Sequence, residues 1–291
     1  MTALASLPII LSGCSAGVLD PAGPIGRSER VILLDSLVIM SAIVVPVIFA
    51  ALVFAWWFRA TNMRAKYLPD WSYSGKLELV VWSIPLTVVL FLGGIGWIGS
   101  HDLDPSKPIS SSAKPLEVEV VSLDWKWLFI YPGQSVASVN QLVIPASVPV
   151  HFRLTSATVM NSFFVPQLGS QIYTMAGMTT QLNLEADKPG TYRGISAQFS
   201  GAGFSDMKFA VVAVSPIEFA GWIAKTNSNG TALDAGAYAW FAKPSQDNPQ
   251  TAYRSVPPQL FEDIVSQSAP GSVQAHPGPS LAQPPQMQME N

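Results

Sequence analysis

Two side chains stand where their chemistry would count: a lone cysteine and a carboxylate at the head of an apolar run. Cys14 closes Leu11-Ser-Gly-Cys14, directly after an apolar run over 3–11. Small residues ahead of a cysteine, behind an apolar stretch too short to span a bilayer, read as a bacterial lipoprotein cleavage box. On that reading residues 1–13 are a signal peptide and an acylated Cys14 begins the mature chain, on the outer face of the cytoplasmic membrane. The start, Met-Thr-Ala-Leu, departs from the pattern because it carries no positive charge; a free buried thiol is the other reading. Glu78 opens Glu78-Leu-Val-Val-Trp82-Ser-Ile-Pro85. An ionisable group beside a membrane helix is a functional candidate by default. An acidic residue in a first turn is also what the helix dipole favours, and the residues alone leave both readings open. Other polar chemistry is thin. One cysteine forms no disulfide within the chain, and His101, His151 and His276 are too scattered to suggest a metal cluster. No nucleophile elbow or paired acid and base stands out. Asp35 reads as interfacial, and Gly93-Gly94-x-Gly96 reads as small residues that let helices approach.

The elements that must position these groups begin with two apolar stretches, Ser36–Phe58 and Leu79–Ser100, of 23 and 22 residues without Asp, Glu, Lys or Arg. Each exceeds the roughly 20 residues that cross a hydrocarbon core. They predict helices over about 33–58 and 78–99, within a transmembrane hairpin spanning 31–100. Trp56-Trp57 and Trp97 lie near the ends, at aromatic-belt depth, and the connection carries Arg59, Arg64, Lys66 and Lys76 against Asp70. Positive residues collect on the cytoplasmic side, so both ends of the hairpin lie outside, in agreement with an outer Cys14. Residues 14–30 form a short outer segment and 101–115 a linker. From Leu116 the pattern switches to period two, as in Leu116-Glu-Val-Glu-Val-Val, Val150-His-Phe-Arg-Leu-Thr and Thr180-Gln-Leu-Asn-Leu-Glu. Short strands between Pro/Gly turns predict an antiparallel sandwich or barrel. Ser215-Pro-Ile-Glu218 is a capping box with Pro at the first helical position. Thr231-Ala-Leu-Asp234 repeats the device more weakly, and Val256-Pro-Pro-Gln-Leu-Phe-Glu-Asp-Ile-Val predicts a third short helix. The expected boundaries are 116–214 for the β domain, 215–267 for a helical arm, and 268–291 for a disordered Pro/Gln/Ser/Gly-rich tail.

Composition agrees with that division. Charged residues make up 12% and hydrophobic ones 49% of the 291, a balance that leans toward a membrane protein. The net charge of −3, with no Lys/Arg cluster able to track phosphates, argues against nucleic-acid binding.

Longer motifs carry a resemblance. They are Asp124-Trp-Lys-Trp-Leu-Phe-Ile-Tyr-Pro132, Val159-Met-Asn-Ser-Phe-Phe-Val-Pro166, Leu168-Gly-Ser-Gln-Ile-Tyr-Thr-Met-Ala-Gly-Met178, Pro189-Gly-Thr-Tyr-Arg-Gly-Ile-Ser196 and Ser215-Pro-Ile-Glu-Phe-Ala-Gly-Trp222. Together, over about residues 10–267, they resemble subunit II of the haem–copper respiratory oxidases, in the branch of the cytochrome bo-type ubiquinol oxidases. The fold so implied is a two-helix transmembrane hairpin, an extracytoplasmic cupredoxin-like Greek-key β-sandwich, and a short C-terminal helical arm.

Copper-binding members of that family, which accept electrons from cytochrome c, hold two copper ions with two Cys, two His, a backbone carbonyl and a Met. Carried over, the first His position is Asn161, the Cys positions are Ser196 and Ser200, the carbonyl position is Gln198, the second His position is Phe204, and Met207 alone keeps its type. Copper suits thiolate and imidazole ligands, so the expectation is a chain that binds no metal and no cofactor, with Met207 a core methionine. Asn161 and Gln198 would hydrogen-bond in the emptied loop, and Trp125 and Trp127 would pack. The resemblance further implies haems and copper in subunit I, other subunits as partners, ubiquinol as the donor to the complex, proton pumping, and Glu78 beside the mouth of a proton path. It implies a multi-pass protein of the bacterial inner membrane with N-terminus and β domain on the periplasmic side. The alternatives are a copper-binding subunit II of cytochrome c oxidase, or a non-enzymatic lipoprotein that docks or assembles other membrane proteins.

Overall fold

The computed structural model describes residues 17–66 and 68–272. Cys14, and the expected tail from residue 273 on, lie outside the described residues. The chain divides into two units: residues 25–104, and the β-rich remainder with the segment up to Pro24.

The first unit is two helices, α1 (Pro24–Trp57) and α2 (Gly75–Asp102), both long and apolar enough to cross a membrane. Both run past the bounds that hydropathy predicts. α1 opens at Pro24, and the charged turn Arg27-Ser-Glu-Arg30 continues into the apolar run without a break. Proline suits a first helical position because it needs no N–H partner there. α2 ends where the Leu103 N–H closes onto the Gly99 carbonyl (2.9 Å), two residues before Pro105; a residue ahead of proline is disfavoured in helical geometry. Hydropathy therefore marks the apolar part of each helix and not its ends. The side chains point outward, with Leu52 66% and Phe91 62% exposed, as a lipid solvent would have them. A Cβ on Gly99 would lie 2.7 Å from Ile32 Cδ1, so glycine permits the two helices to touch there.

The second unit is a two-sheet sandwich. Its strands are β1 (Leu116–Leu123), β2 (Lys126–Tyr131), β3 (Val136–Val139), β4 (Gln141–Pro145), β5 (Val150–Ser156), β6 (Asn161–Phe164), β7 (Ile172–Thr174), β8 (Thr180–Leu184), β9 (Gly190–Ser196), β10 (Lys208–Val214), β11 (Thr231–Ala232) and β12 (Thr251–Ser255). One sheet runs β11-β12-β3-β2-β1-β5-β8 and the other β4-β10-β9-β6-β7. The pairing is not wholly antiparallel as predicted: β1 pairs with β5, and β4 with β10, in parallel. Greek-key connections bring sequence-distant strands together, and local alternation carries no signal of their direction. Between β3 and β4 the chain changes sheets at Asn140, which takes φ 54, a left-handed conformation that Asn tolerates. Its side chain accepts from the Trp127 N–H (2.9 Å) and donates to the Asn248 carbonyl (2.9 Å).

Successive residues of β2 enter different cores. Trp127, Phe129 and Tyr131 enter the core between the sheets, the first two against Phe163 and Phe209 and Tyr131 against Phe219 and Trp222. The Tyr131 hydroxyl crosses to the second sheet, donating to the Val143 carbonyl and accepting from its N–H, both at 2.9 Å, and burial pushes its pKa up. Leu128 and Ile130 join a second core against Leu233, Tyr238, Phe241, Leu260, Phe261 and Ile264 of the arm.

The expected helical arm is thus a mixed one. It holds α3 (Pro216–Asn229), α4 (Ala235–Phe241), α5 (Leu260–Val265) and the two strands that extend the first sheet. The Ser215/Glu218 capping box forms at α3, and the hydrogen bonds from Ser215 hold the Glu218 pKa below its ordinary value. Thr231 caps no helix, because it lies in β11; Asp234 itself accepts from the Ala237 N–H at the start of α4 (2.8 Å). The boundary at 268 also moves, since Ala269 is buried in the arm core. Arg153 of β5 docks α5 through Glu119 (2.9 Å) and Glu262 (2.7 Å), with its guanidinium 4.8 Å from the Phe261 ring centroid. Burial, chiefly, raises the Glu119 pKa despite Arg153.

Lys126 is a further charged residue in this packing and is 1% exposed. Its ammonium donates to the Lys243 carbonyl (2.7 Å) and the Ser245 hydroxyl, and stands 4.9 Å from the Phe241 ring centroid. Desolvation outweighs the attraction of Asp124 and lowers its pKa from 10.5 to about 8. A lysine that loses its proton earlier when folded leaves the unfolded chain with more bound protons between those values, so stability rises with pH there. Thermal melts of the purified chain at pH 7.5 to 10.5 should show the wild type gaining on Lys126→Met by up to about 3 kcal/mol. Parallel curves would show that the buried ammonium bears no such penalty.

Candidate functional site

The six positions that the resemblance assigns to copper ligands fall at the start of β6, the end of β9 and the connection from β9 to β10. Asn161 begins β6, Ser196 ends β9, and Gln198 and Ser200 lie in the loop between β9 and β10. Phe204 opens a 3-10 turn over Phe204–Asp206, and Met207 closes it. Adjacency of β6 and β9 places Asn161 beside Ser196. The Ser196 hydroxyl lies within hydrogen-bond reach of the Asn161 Oδ1 (3.2 Å) and the Gln198 carbonyl (3.3 Å), and the Asn161 amide donates to the Val159 carbonyl (3.2 Å). The Ser200 hydroxyl approaches the Met207 sulfur at 3.9 Å. Phe204 does not join this cluster; its ring packs edge-on against Phe199, centroids 5.7 Å apart. Met207 is 1% exposed and belongs to the core between the sheets, as the sequence predicts.

The donor set is one amide, two hydroxyls, a carbonyl and a thioether. These do not fit two copper ions, which need soft or imidazole ligands. A serine hydroxyl keeps its proton at neutral pH, and here the buried one is engaged with Asn161. A phenyl ring has no lone pair to offer. Among the described residues no group of three or more His, Cys, Asp or Glu side chains is placed to hold a metal ion.

Backbone hydrogen bonds hold the loop at its ends: Ser196 N–H to the Met207 carbonyl (3.1 Å) and Ala197 N–H to the Ser162 carbonyl (3.0 Å). Trp125 holds its middle. Its indole N–H donates to the Ser200 carbonyl (2.9 Å). A Cβ on Gly203 would fall 2.5 Å from the ring, and Gly201 lies against it at φ +107. The two tryptophans read together in the sequence thus divide: Trp127 fills the core and Trp125 clamps the loop. Gly201-Ala-Gly203 was the available signal, since small residues in a loop mark a close approach. Lys126, between them, gave no signal, because a lone lysine in a strand usually points to water.

Glu78 lies in the first turn of α2, exposed, with its N–H on the Ser74 carbonyl (3.0 Å). The Ser74 side chain does not cap the helix.

The clamp makes a direct test. Gly203→Ala should cost about 1–3 kcal/mol through overpacking against Trp125. The readouts are a lower melting temperature and faster proteolysis within 196–207. Gly221→Ala, where an added Cβ meets nothing within 4 Å, should hold or raise the melting temperature. Equal behaviour of the two variants would show that the indole does not hold the loop.

Comparison with known proteins places this geometry. The family described as cytochrome c oxidase subunit II, periplasmic domain, matches residues 118–214, and the COX aromatic rich motif matches 228–270. A ubiquinol oxidase subunit 2 from Acetobacter aceti is 49% identical over 270 residues, 92% of this chain and 88% of that one. A cytochrome bo(3) ubiquinol oxidase subunit 2 from Pseudomonas aeruginosa is 46% identical over 258 residues, 89% and 78% of the two chains. A solved periplasmic domain of subunit II of cytochrome oxidase from Bradyrhizobium japonicum is 23% identical, covers 41% of this chain and 98% of that one, and gives a TM-score of 0.38. With identities near one half over most of both chains, this chain belongs to the family of ubiquinol oxidase subunit 2.

Proposed function

We propose that the chain is the non-redox subunit II of a proton-pumping ubiquinol oxidase. In that complex two ubiquinols reduce one oxygen to two waters, and the haems and copper reside in subunit I. The observation that carries this reading is the loop of Asn161, Ser196, Ser200 and Met207, closed by its own side chains with neither thiolate nor imidazole among them. Without a metal relay on this subunit, a soluble electron carrier has nowhere to deliver. The donor is then a membrane-soluble one that meets subunit I directly, and ubiquinol has that chemistry.

The chain's own tasks follow from its parts. The hairpin packs beside subunit I in the bacterial inner membrane, with its positive loop on the cytoplasmic side. The sandwich caps the complex on the periplasmic side, and an acylated Cys14 tethers the N-terminus there. Purification through a tag on this chain tests the assignment. The complex should consume oxygen with ubiquinol and only at background with cytochrome c, and the N-terminal mass should be that of an acylated Cys14. Stoichiometric copper on this chain after separation from its partners would overturn the reading in favour of a cytochrome c oxidase subunit. Absence of a haem-bearing partner would favour a non-enzymatic lipoprotein.

Glu78 belongs in this scheme at the cytoplasmic mouth of a proton path into subunit I. Its place is the exposed first turn of α2, next to the positive loop, where a carboxylate can collect protons from water. Glu78→Ala should slow turnover and proton uptake severalfold while the complex still assembles. If Glu78 only complements the helix dipole, the variant loses about 0.3–1 kcal/mol of stability with turnover unchanged, and the proton-path role fails.

A further inference from the structure

The connection between α1 and α2 carries a feature that electron and proton transfer do not use. Phe54 and Phe58 at the end of α1, Leu68 and Trp71 in the connection, and Leu77 in the first turn of α2 line an open cavity of about 640 Å³. That volume lies within the range of small-molecule sites. One charged residue, Lys66, lines it. The apolar walls are unfilled: Phe58 is 60% and Trp71 60% exposed.

Side-chain hydrogen bonds fix the start of the connection, next to this cavity. The Asn62 amide donates to the Trp57 carbonyl (2.6 Å), and its Oδ1 accepts from the Arg64 N–H (3.1 Å). Arg59 folds back onto the helix end. Its guanidinium donates to the Trp56 carbonyl (2.9 Å) and the Thr61 hydroxyl (3.1 Å), and lies over the Trp56 ring. Arg59 is thereby committed to closing the helix, while Lys66 is left at the cavity. Four cations against one Asp over residues 59–76 make the connection electropositive.

Aromatic and aliphatic walls, one ammonium, and a positive surround at a membrane–water boundary match an anionic amphiphile, and basic pockets at the cytoplasmic ends of membrane helices bind such headgroups. We propose that this cavity holds one anionic phospholipid, an acyl chain lying against Phe54, Phe58, Trp71 and Leu77 and the phosphate on Lys66. The inference rests on the reading of the hairpin as membrane-embedded with this connection on the cytoplasmic side.

The test uses the assembled complex, purified through a tag on this chain and titrated with phosphatidylglycerol or phosphatidylcholine. Native mass spectrometry reports assembly and bound lipid together. The complex should hold one phosphatidylglycerol more firmly than phosphatidylcholine. Lys66→Gln should lower phosphatidylglycerol occupancy about fivefold, the worth of one cation near an anionic lipid, and leave phosphatidylcholine unaffected. Leu77→Trp, which fills the cavity, should lower phosphatidylglycerol occupancy without removing the charge. Equal retention of the two lipids, indifference to both variants, or displacement by inorganic phosphate alone would each overturn the proposal. An assembled complex without lipid sinks this inference alone. Failure to recover any complex sinks the subunit reading and this inference with it.

Discussion

Strand β2 has no face toward water, and most of the outer domain follows from that constraint. A strand buried on both sides needs two covers. Trp127, Phe129 and Tyr131 require the second sheet, while Leu128, Ile130 and the Lys126 stem require something on the other side. Each large apolar side chain gains on the order of 1.5–3 kcal/mol by such burial. An uncovered face would expose a contiguous apolar patch. The arm is therefore a structural layer and not an appendage. Its strand β12 extends the sheet beside β3, its helices α4 and α5 close the outer core, and Arg153 ties α5 to the sheet through Glu119 and Glu262.

The same strand positions the loop to which the resemblance assigns copper-ligand positions. Trp125 immediately precedes β2, so a strand fixed on both faces fixes the root of the indole that clamps Ser200 and packs on Gly203. The contacts holding the loop are mostly indifferent to the side chains at the ligand positions. Trp125 donates to a backbone carbonyl, and the loop ends are joined through main-chain groups of Ser196, Met207, Ala197 and Ser162. On the proposed reading, a frame held this way persists although five of the six ligand positions cannot serve as the copper-binding family uses them. Backbone and packing hold the frame, and what these positions require is that each buried polar group finds a partner. Ser196 with Asn161 meets that condition.

Much of this was legible in the sequence. Two charge-free stretches gave the hairpin and period-two alternation gave the strands from Leu116, while Asn161, Ser196 and Met207 were singled out through the family resemblance. What escaped has physical reasons. Helix ends escaped because Arg27–Arg30 and His101–Asp102 are polar yet helical, and hydropathy weighs only polarity. The parallel pairs β1–β5 and β4–β10 escaped because partner and direction are set by long-range closure. The strands of the arm escaped because two to five residues are too few for a period. Lys126 escaped because its cover lies more than a hundred residues away, at Phe241, Lys243 and Ser245.

On the proposed reading, Ser196 and Ser200 stand where the copper-binding relatives have their two thiolates. A hydroxyl has nearly the shape of a thiol, so serine suits the packing around a cysteine position. A thiolate forms readily near a metal because the free thiol already ionises near pH 8.5, whereas a serine hydroxyl offers only a neutral oxygen with a proton to place. Here that proton has a place on the Asn161 amide oxygen, and on the proposed reading Asn161 stands where the first imidazole would. On that reading the two positions depend on each other, because Asn161 satisfies the Ser196 hydroxyl. On the proposed reading, this pair is what lets the outer domain remain folded and metal-free while electrons reach subunit I from within the membrane.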